Sequence, residues 1–190
     1  MIALPLMDKI DFVRITDAAA AYHLQRIVQN ALPPMFHNYI KDRSEFDYIS
    51  LVQQNSLYGV YADNHLVSMV FLTIHESRSF QTDFNQTRQF SDAVDTVYDF
   101  GIIGGLMVHP DWQGHGIGHA LVRYVQSLVT NDGLDCVFAE TIAGNQASIR
   151  CFTDNNFTVI GHEFYPPLNT NLCLLAYVPV AMTEEKLAVA

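Results

Sequence analysis

The sequence predicts an α/β (α+β) protein in which a mixed central β-sheet is flanked by helices. Segments rich in β-branched and aromatic residues alternate with segments whose apolar residues recur at helical spacing, a pattern typical of layered α/β domains. The 190 residues are 49% hydrophobic and 16% charged, so the chain can bury one core without disulfides or metal. We therefore expect a single domain over residues 1–190.

The first predicted elements are a short strand and an amphipathic helix. Residues 11–15 alternate like a strand, and the Thr16-Asp17 pair can cap a helix whose apolar positions continue to Ala31. Pro33 and Pro34 end that helix. Residues 35–54 have apolar spacings compatible with a second helix, continuous or broken.

A β-hairpin and a long polar segment follow. Residues 57–61 and 66–75 are rich in β-branched and aromatic side chains, and the short Ala-Asp-Asn-His connection between them predicts a hairpin. Residues 76–99 are dominated by Ser, Gln, Thr, Asn and Asp. A loop of this length inside a compact domain is either a substrate-facing lid or an insertion without function.

The second half of the chain is organised around a glycine-rich loop. Residues 102–109 predict a strand that enters the segment Gln-Gly-His-Gly-Ile-Gly, and an amphipathic helix then runs from Ile117 to about Asn131. The remaining pattern predicts strands at 136–140, 157–164 and 172–178 and a short helix at 145–155.

Composition excludes several classes of protein. The three cysteines, at positions 136, 151 and 173, have no zinc-like or disulfide-framework spacing, which favours a reducing compartment. A formal net charge of -10 disfavours binding to nucleic acid or to an anionic membrane surface, and would attract a cationic amine. The chain shows neither a secretion signal nor an apolar run that could span a bilayer, so we expect a cytoplasmic protein.

The glycine-rich loop has the properties of a pyrophosphate site. A strand followed by Gly114, Gly116, Gly118 and a helix places backbone N–H groups, without bulky side chains, at the positive end of a helix dipole. The loop lacks the Gly-Lys-Ser/Thr of a Walker loop, and its spacing differs from that of dinucleotide-binding loops. A tight structural turn is the alternative interpretation.

Two segments together resemble the GNAT N-acetyltransferase superfamily. Residues 105–121, Gly-Leu-Met-Val-His-Pro-Asp-Trp-Gln-Gly-His-Gly-Ile-Gly-His-Ala-Leu, resemble the family's acetyl-CoA signature Q/R-x-x-G-x-G/A after a V-x-P strand end. Residues 140–157 resemble its second block, N-x-x-A-x-x-x-Y-x-x-x-G-F. The resemblance implies a GNAT-type mixed sheet with a splayed strand pair that holds acetyl-CoA as cosubstrate, and a direct N-acyl transfer without metal.

The resemblance also implies roles for individual residues. The strand residues would pair through their backbone with the pantetheine arm, as a peptide adds to a sheet edge. The loop would bind the pyrophosphate through backbone amides, and Gln113 would contribute through its side chain or its backbone alone. Asn145 either contacts the pantetheine region or caps the following helix. The implied cofactor-binding residues are Leu106, Met107, Val108, Gln113, Gly114, His115, Gly116, Ile117, Gly118, His119 and Asn145.

For the chemistry, Glu140 is the implied general base, and Asp99 is the second candidate for that role. Burial beside the cosubstrate would raise the pKa of Glu140, and the alternative is a carboxylate that only bonds nearby backbone. The N–H of Met107 or Val108 would polarise the thioester carbonyl.

The chain departs from the family pattern at two positions of the second block. Phe152 stands where many relatives have a tyrosine that protonates the leaving thiolate, which leaves Tyr165, Cys151 or solvent for that step. Asn156 replaces the usual glycine, and asparagine is the next best residue for a left-handed helix end.

Other functions stay open at this stage. His109, His115 and His119 could suggest a zinc enzyme, but no Glu completes a zincin pattern and the glycines would be unexplained. A stronger alternative is an acyl-CoA-binding or regulatory domain that has lost catalysis. The acceptor is a small-molecule or peptide amine that no motif identifies. A homodimer is compatible with exposed strand edges.

Overall fold

The computed structural model describes residues 10–76 and 99–179, and these form a mixed α/β structure. The strands are β1 (Asp11–Arg14), β2 (Leu57–Ala62), β3 (His65–Glu76), β4 (Asp99–Val108), β5 (Cys136–Ile142), β6 (Thr158–Tyr165) and β7 (Thr170–Tyr177). In the described ranges, these strands pair in the order β1-β2-β3-β4-β5-β7-β6. The α-helices are α1 (Ala18–Ala31), α2 (Glu45–Gln53), α3 (Ile117–Asn131) and α4 (Gln146–Thr153).

Among the residues that the structure describes, the first of two compact units comprises 10–71 together with 105–124. Its strands β1, β2 and the first part of β3 pair antiparallel. Helices α1 and α2 cover them with a core that includes Leu24, Tyr48 and Met69. The predicted cap is confirmed, because Asp17 Oδ1 accepts a hydrogen bond from the Ala20 N–H at 3.1 Å.

The second predicted helix is broken, as its pattern allowed. A 3-10 turn occupies Pro34–Tyr39, and α2 begins only at Glu45. The new start has its own cap, since Ser44 Oγ accepts from the Asp47 N–H while Asp47 Oδ2 accepts from the Ser44 N–H. Residues 40–44 therefore form a non-helical segment between this 3-10 turn and α2.

The described residues of the second compact unit are 72–76, 99–104 and 125–179. Here β4 pairs parallel with β5 from Phe100 to Ile103, while β7 pairs antiparallel with both β5 and β6. Phe100 and Phe138 meet edge to face in its core, with ring centroids 5.7 Å apart. Strand β4 begins at Asp99, three residues before the predicted start.

Helix α4 ends as its sequence predicted. Asn156 has a φ of 64°, in the left-handed region where asparagine is tolerated better than most residues. Phe157 then returns to the core and packs edge to face against Phe152, with centroids 5.1 Å apart. The exchange of glycine for asparagine in the second block is therefore conservative in structure.

Some predictions fall outside the described residues. The long polar segment predicted at 76–99 is described only at its two ends, so neither its role as a lid nor its role as an insertion is tested. The prediction of one domain over residues 1–190 also stays a prediction. Among the described helices, none is both long and apolar enough to cross a membrane.

Candidate functional site

The end of β4 directs alternate backbone groups to opposite edges of the strand. The His109 N–H donates to Val67 O at 2.8 Å, and Ser68 Oγ donates to Met107 O at 2.8 Å, so both residues use the edge that faces β3. Because neighbouring strand residues alternate, the backbone groups of Leu106 and Val108 point to the other edge. The buried side chain of Met107 belongs to the core of the first unit. Met107 is therefore a core residue whose carbonyl oxygen bonds to β3 rather than pointing to the other edge.

The turn after β4 is held by two side chains. His109 Nδ1 accepts from the Asp111 N–H at 3.2 Å and thereby caps the Pro110–Trp112 turn. Gln113 Nε2 donates to Val108 O at 3.0 Å. This bond ties the start of the glycine loop to the strand end. It gives the Gln113 side chain a structural role that the sequence motif did not reveal.

The loop glycines are required by backbone conformation. Gly114 and Gly116 have φ values of +77° and +78°, which side-chain-bearing residues rarely adopt. A Cβ at either position would have no heavy atom within 4 Å, so the space beside the loop is open. A ligand can therefore approach this backbone closely.

Helix α3 begins at the end of this loop. The Ala120 N–H donates to Gly116 O at 3.0 Å, which makes Gly116 the residue that precedes the first helical turn. The N–H groups of a first turn have no intrahelical acceptor, and the helix dipole adds partial positive charge there. His115 is exposed in the loop, whereas Ile117 and Gly118 are buried and His119 is half-buried. The strand end, the glycine loop and the helix start thus lie in one continuous segment within the first unit, an arrangement whose backbone amides are able to accept an anion.

Two predicted site residues belong to the second unit. Glu140 lies on β5 opposite Leu174 of β7 and is exposed, so the protein alone does not bury its carboxylate. Asn145 is half-buried, and its Oδ1 accepts from the Ser148 N–H at 3.2 Å, which caps α4. The cap is thus established for Asn145, while its contact with a ligand stays a prediction. Asp99, the reserve base, is exposed at the start of β4.

The residues considered for protonating a thiolate differ in their surroundings. Phe152 is only 2% exposed and is part of the core of the second unit. Burial raises the pKa of the Cys151 thiol, and the nearby Asp154 raises it further. Tyr165 is half-buried at the end of β6. Cys151 therefore holds its proton more tightly than an ordinary thiol does.

His109, His115 and His119 are the histidines that could suggest a zinc enzyme. His109 already uses Nδ1 to cap a turn, and its Nδ1 lies 3.8 Å from Asp111 Oδ2. Within residues 10–76 and 99–179, no three His, Cys, Asp or Glu side chains are grouped to hold a metal ion. All three cysteines lie in these ranges, and none of them is part of a disulfide.

A family model decides the identification. The model of the acetyltransferase (GNAT) family matches residues 22–157, well over half of the chain, and the match includes both segments that resemble the family. The chain belongs to the GNAT acetyltransferase family. Acetyl transfer is therefore the general reaction class that its membership supports.

Solved structures confirm the GNAT fold. A NatC complex bound to Gag peptide and CoA superposes with a TM-score of 0.67 at 16% identity, covering 90% of this chain and 99% of that chain. Arabidopsis thaliana NAA60 with acetyl-CoA gives 0.65 at 17% identity, covering 90% and 98%. Drosophila melanogaster polyamine N-acetyltransferase, which forms N-acetylagmatine, gives 0.65 at 13% identity, covering 90% and 100%. At such identities the likeness shows the fold alone. No protein with a curated description matches the chain in sequence.

Proposed function

We propose that this GNAT protein transfers the acetyl group of acetyl-CoA directly to the amine of a small-molecule or peptide acceptor. The observation that carries the proposal is the segment from Val108 to α3. It combines a strand end with a backbone edge away from β3, two glycines at positive φ, and the N-terminus of a helix. Acetyl-CoA presents the two groups that such a segment fits, an amide-bearing pantetheine arm and a pyrophosphate.

The loop would bind the pyrophosphate through backbone N–H groups between Gly114 and His119. Charge-assisted hydrogen bonds to phosphate oxygens are roughly twice as strong as neutral ones. The open space beside Gly114 and Gly116 lets phosphate oxygens approach these amides. Gln113 would act indirectly, because its bond to Val108 O fixes the loop relative to the strand.

The strand would position the thioester. Leu106 and Val108 direct backbone groups to the edge away from β3, so these residues are the ones that can pair with pantetheine. Of the two N–H groups considered for polarising the thioester carbonyl, we favour Val108, because Met107 uses the β3 edge. An N–H aimed at that carbonyl oxygen stabilises the negative charge that develops on it during attack.

The transfer itself needs a base for the acceptor amine and a proton donor for the leaving thiolate. The acceptor nitrogen attacks the thioester carbonyl carbon and loses a proton to Glu140, directly or through water, and the carbon–sulfur bond then breaks. Because Glu140 is exposed in the protein alone, burial of its carboxylate has to come from the bound substrates. The departing thiolate takes a proton from solvent or from Tyr165, since burial makes the Cys151 thiol a poor donor.

A second candidate function is an acyl-CoA-binding or regulatory domain without turnover. The observation that favours it is Phe152, a fully buried phenylalanine at the position where many relatives have a tyrosine that donates a proton. Such a domain would bind CoA through the same loop and would acetylate no amine.

A thiol-release assay separates the two functions. Purified protein is incubated with acetyl-CoA and a panel of small amines and peptides, and free CoA and acetylated product are quantified together. Turnover with any acceptor supports the acetyltransferase, whereas binding without any product supports the regulatory domain. Glu140→Gln and Asp99→Asn each remove one negative charge, so the two variants are matched in net charge. A general base at Glu140 requires a loss of kcat in Glu140→Gln alone, by about 10²-fold or more.

A further inference from the structure

An arginine lies against the strand that we assign to the acetyl donor. The Arg43 guanidinium carbon is 4.7 Å from the centroid of the Phe71 ring. Both residues lie beside Gly105 of β4, because a Cβ at Gly105 would be 3.0 Å from the Phe71 ring and 3.6 Å from Arg43 Nη1. Only a glycine leaves room for this arrangement, and Gly105 also has a φ of +62°.

The backbone of Arg43 is fixed by a buried glutamine. Gln25 is fully buried, and its Nε2 donates to Arg43 O at 2.8 Å while its Oε1 accepts from the Arg43 N–H at 3.3 Å. The buried Tyr48 hydroxyl also donates to Gln25 Oε1, at 2.8 Å. The non-helical segment before α2 is therefore attached to α1 at Arg43, which limits where the guanidinium can go.

This position is close to the proposed reaction centre. Gly105 precedes Val108 by three residues, which is about 10 Å along a strand. Phe71 packs against the core cluster that contains Leu24 of α1 and Tyr48 of α2, so its ring lies on the helical side of the sheet. The guanidinium stacks on that ring and is thus on the same side, next to a residue that lies about 10 Å along the strand from Val108.

We propose that Arg43 binds a carboxylate of the acceptor, so that the acceptor class is an amine bearing a carboxylate roughly 10 Å from the reacting nitrogen. This inference rests on the proposed acetyltransferase function. A planar guanidinium recognises a carboxylate through paired N–H donors, and stacking on Phe71 fixes its plane.

The test compares carboxylate acceptors with their neutral amides. Two pairs suffice: 8-aminooctanoate with its carboxamide, and trialanine with trialanine amide. In each extended carboxylate the amine and the carboxylate are about 10 Å apart. The first pair represents a free amino acid and the second a peptide. The inference predicts that the carboxylate of at least one pair has a kcat/KM at least tenfold above that of its amide.

Variants of Arg43 separate recognition from a structural role. Arg43→Gln should raise KM for the preferred carboxylate by about ten- to a hundredfold with little change in kcat, and should leave the amide unaffected. Arg43→Lys should restore part of the affinity through its charge. Arg26→Gln is the matched control, since Arg26 is exposed, pairs with Asp42 at 3.6 Å and carries the same charge. Arg26→Gln should leave kcat and KM unchanged for both the carboxylate and the amide.

Several outcomes would overturn the inference. Equal use of carboxylate and amide, or a loss in Arg43→Gln that is the same for both, would show that Arg43 only packs against Phe71. Acetyl-CoA binding with turnover of other amines but of neither pair would also contradict it. Failure to bind acetyl-CoA, or binding without turnover of any amine, would instead remove the proposed function on which the inference rests. These results are distinct from the failures above, in which the protein is an active acetyltransferase.

Discussion

The glycine loop gives a prediction with an internal control. Gly116 in the loop and Gly133 after α3 have nearly the same backbone, with φ values of +78° and +71°, and a Cβ at either would meet no heavy atom within 4 Å. Alanine at either position therefore costs the same conformational strain, about 1 kcal/mol. For a protein of this size, that loss lowers the melting temperature by roughly 2–4 °C.

The two variants should differ only in ligand binding. In Gly116→Ala the new methyl group occupies the space through which phosphate oxygens reach the loop amides. The loss of one charge-assisted hydrogen bond, about 1.5–3 kcal/mol, weakens acetyl-CoA binding by roughly ten- to a hundredfold. Gly133→Ala should bind acetyl-CoA like the unmodified protein. Scanning calorimetry measures the melting temperature, and titration calorimetry measures the affinity for acetyl-CoA. Equal affinities for acetyl-CoA in the two variants would refute the assignment of the loop as the pyrophosphate site.

Three further changes test other parts of the structure. Gln113→Ala removes the donor to Val108 O, so kcat/KM should fall about tenfold in a steady-state assay. Because the Gln113 side chain is exposed, the melting temperature should be almost unchanged. Unaltered kinetics would exclude a role for Gln113 in positioning the loop. Gly105→Ala should lose about 2 kcal/mol or more in urea unfolding, because its Cβ would strike the Phe71 ring, and a neutral result would contradict the described packing. Burial raises the pKa of the Tyr48 hydroxyl, so above pH 10 the unfolded chain loses a proton that the folded chain keeps, and the free energy of unfolding falls with rising pH. Tyr48→Phe should reduce the slope of the free energy of unfolding against pH by about 1.4 kcal/mol per pH unit. An unchanged slope would rule out the raised pKa.

Features set by neighbouring residues were predictable from the sequence. The cap at Asp17, the left-handed Asn156 and the broken second helix follow from short-range rules, because each depends on a few adjacent residues. The glycine loop was recognised for the same reason. Its conformation, strand end and helix start occupy one continuous segment.

Features that depend on residues distant in sequence were missed. The contact of Arg43 with Phe71 beside Gly105, and the clamp by Gln25, join four separate parts of the chain and have no sequence signature. The pair of glycines at the centre of β4 was the one available hint, since glycine inside a strand often marks a close approach of another group. The Gln113 side-chain bond was also missed, because the family motif shows the residue but not its partner.

Isothermal titration of acetyl-CoA, and separately of CoA, into the purified protein shows directly whether the glycine loop binds the cosubstrate. We expect saturable binding of both ligands in the micromolar range, and loss of that binding in Gly116→Trp, whose side chain fills the loop. A protein that remains folded yet gives no binding heat with either ligand would show that the glycine loop is only a structural turn.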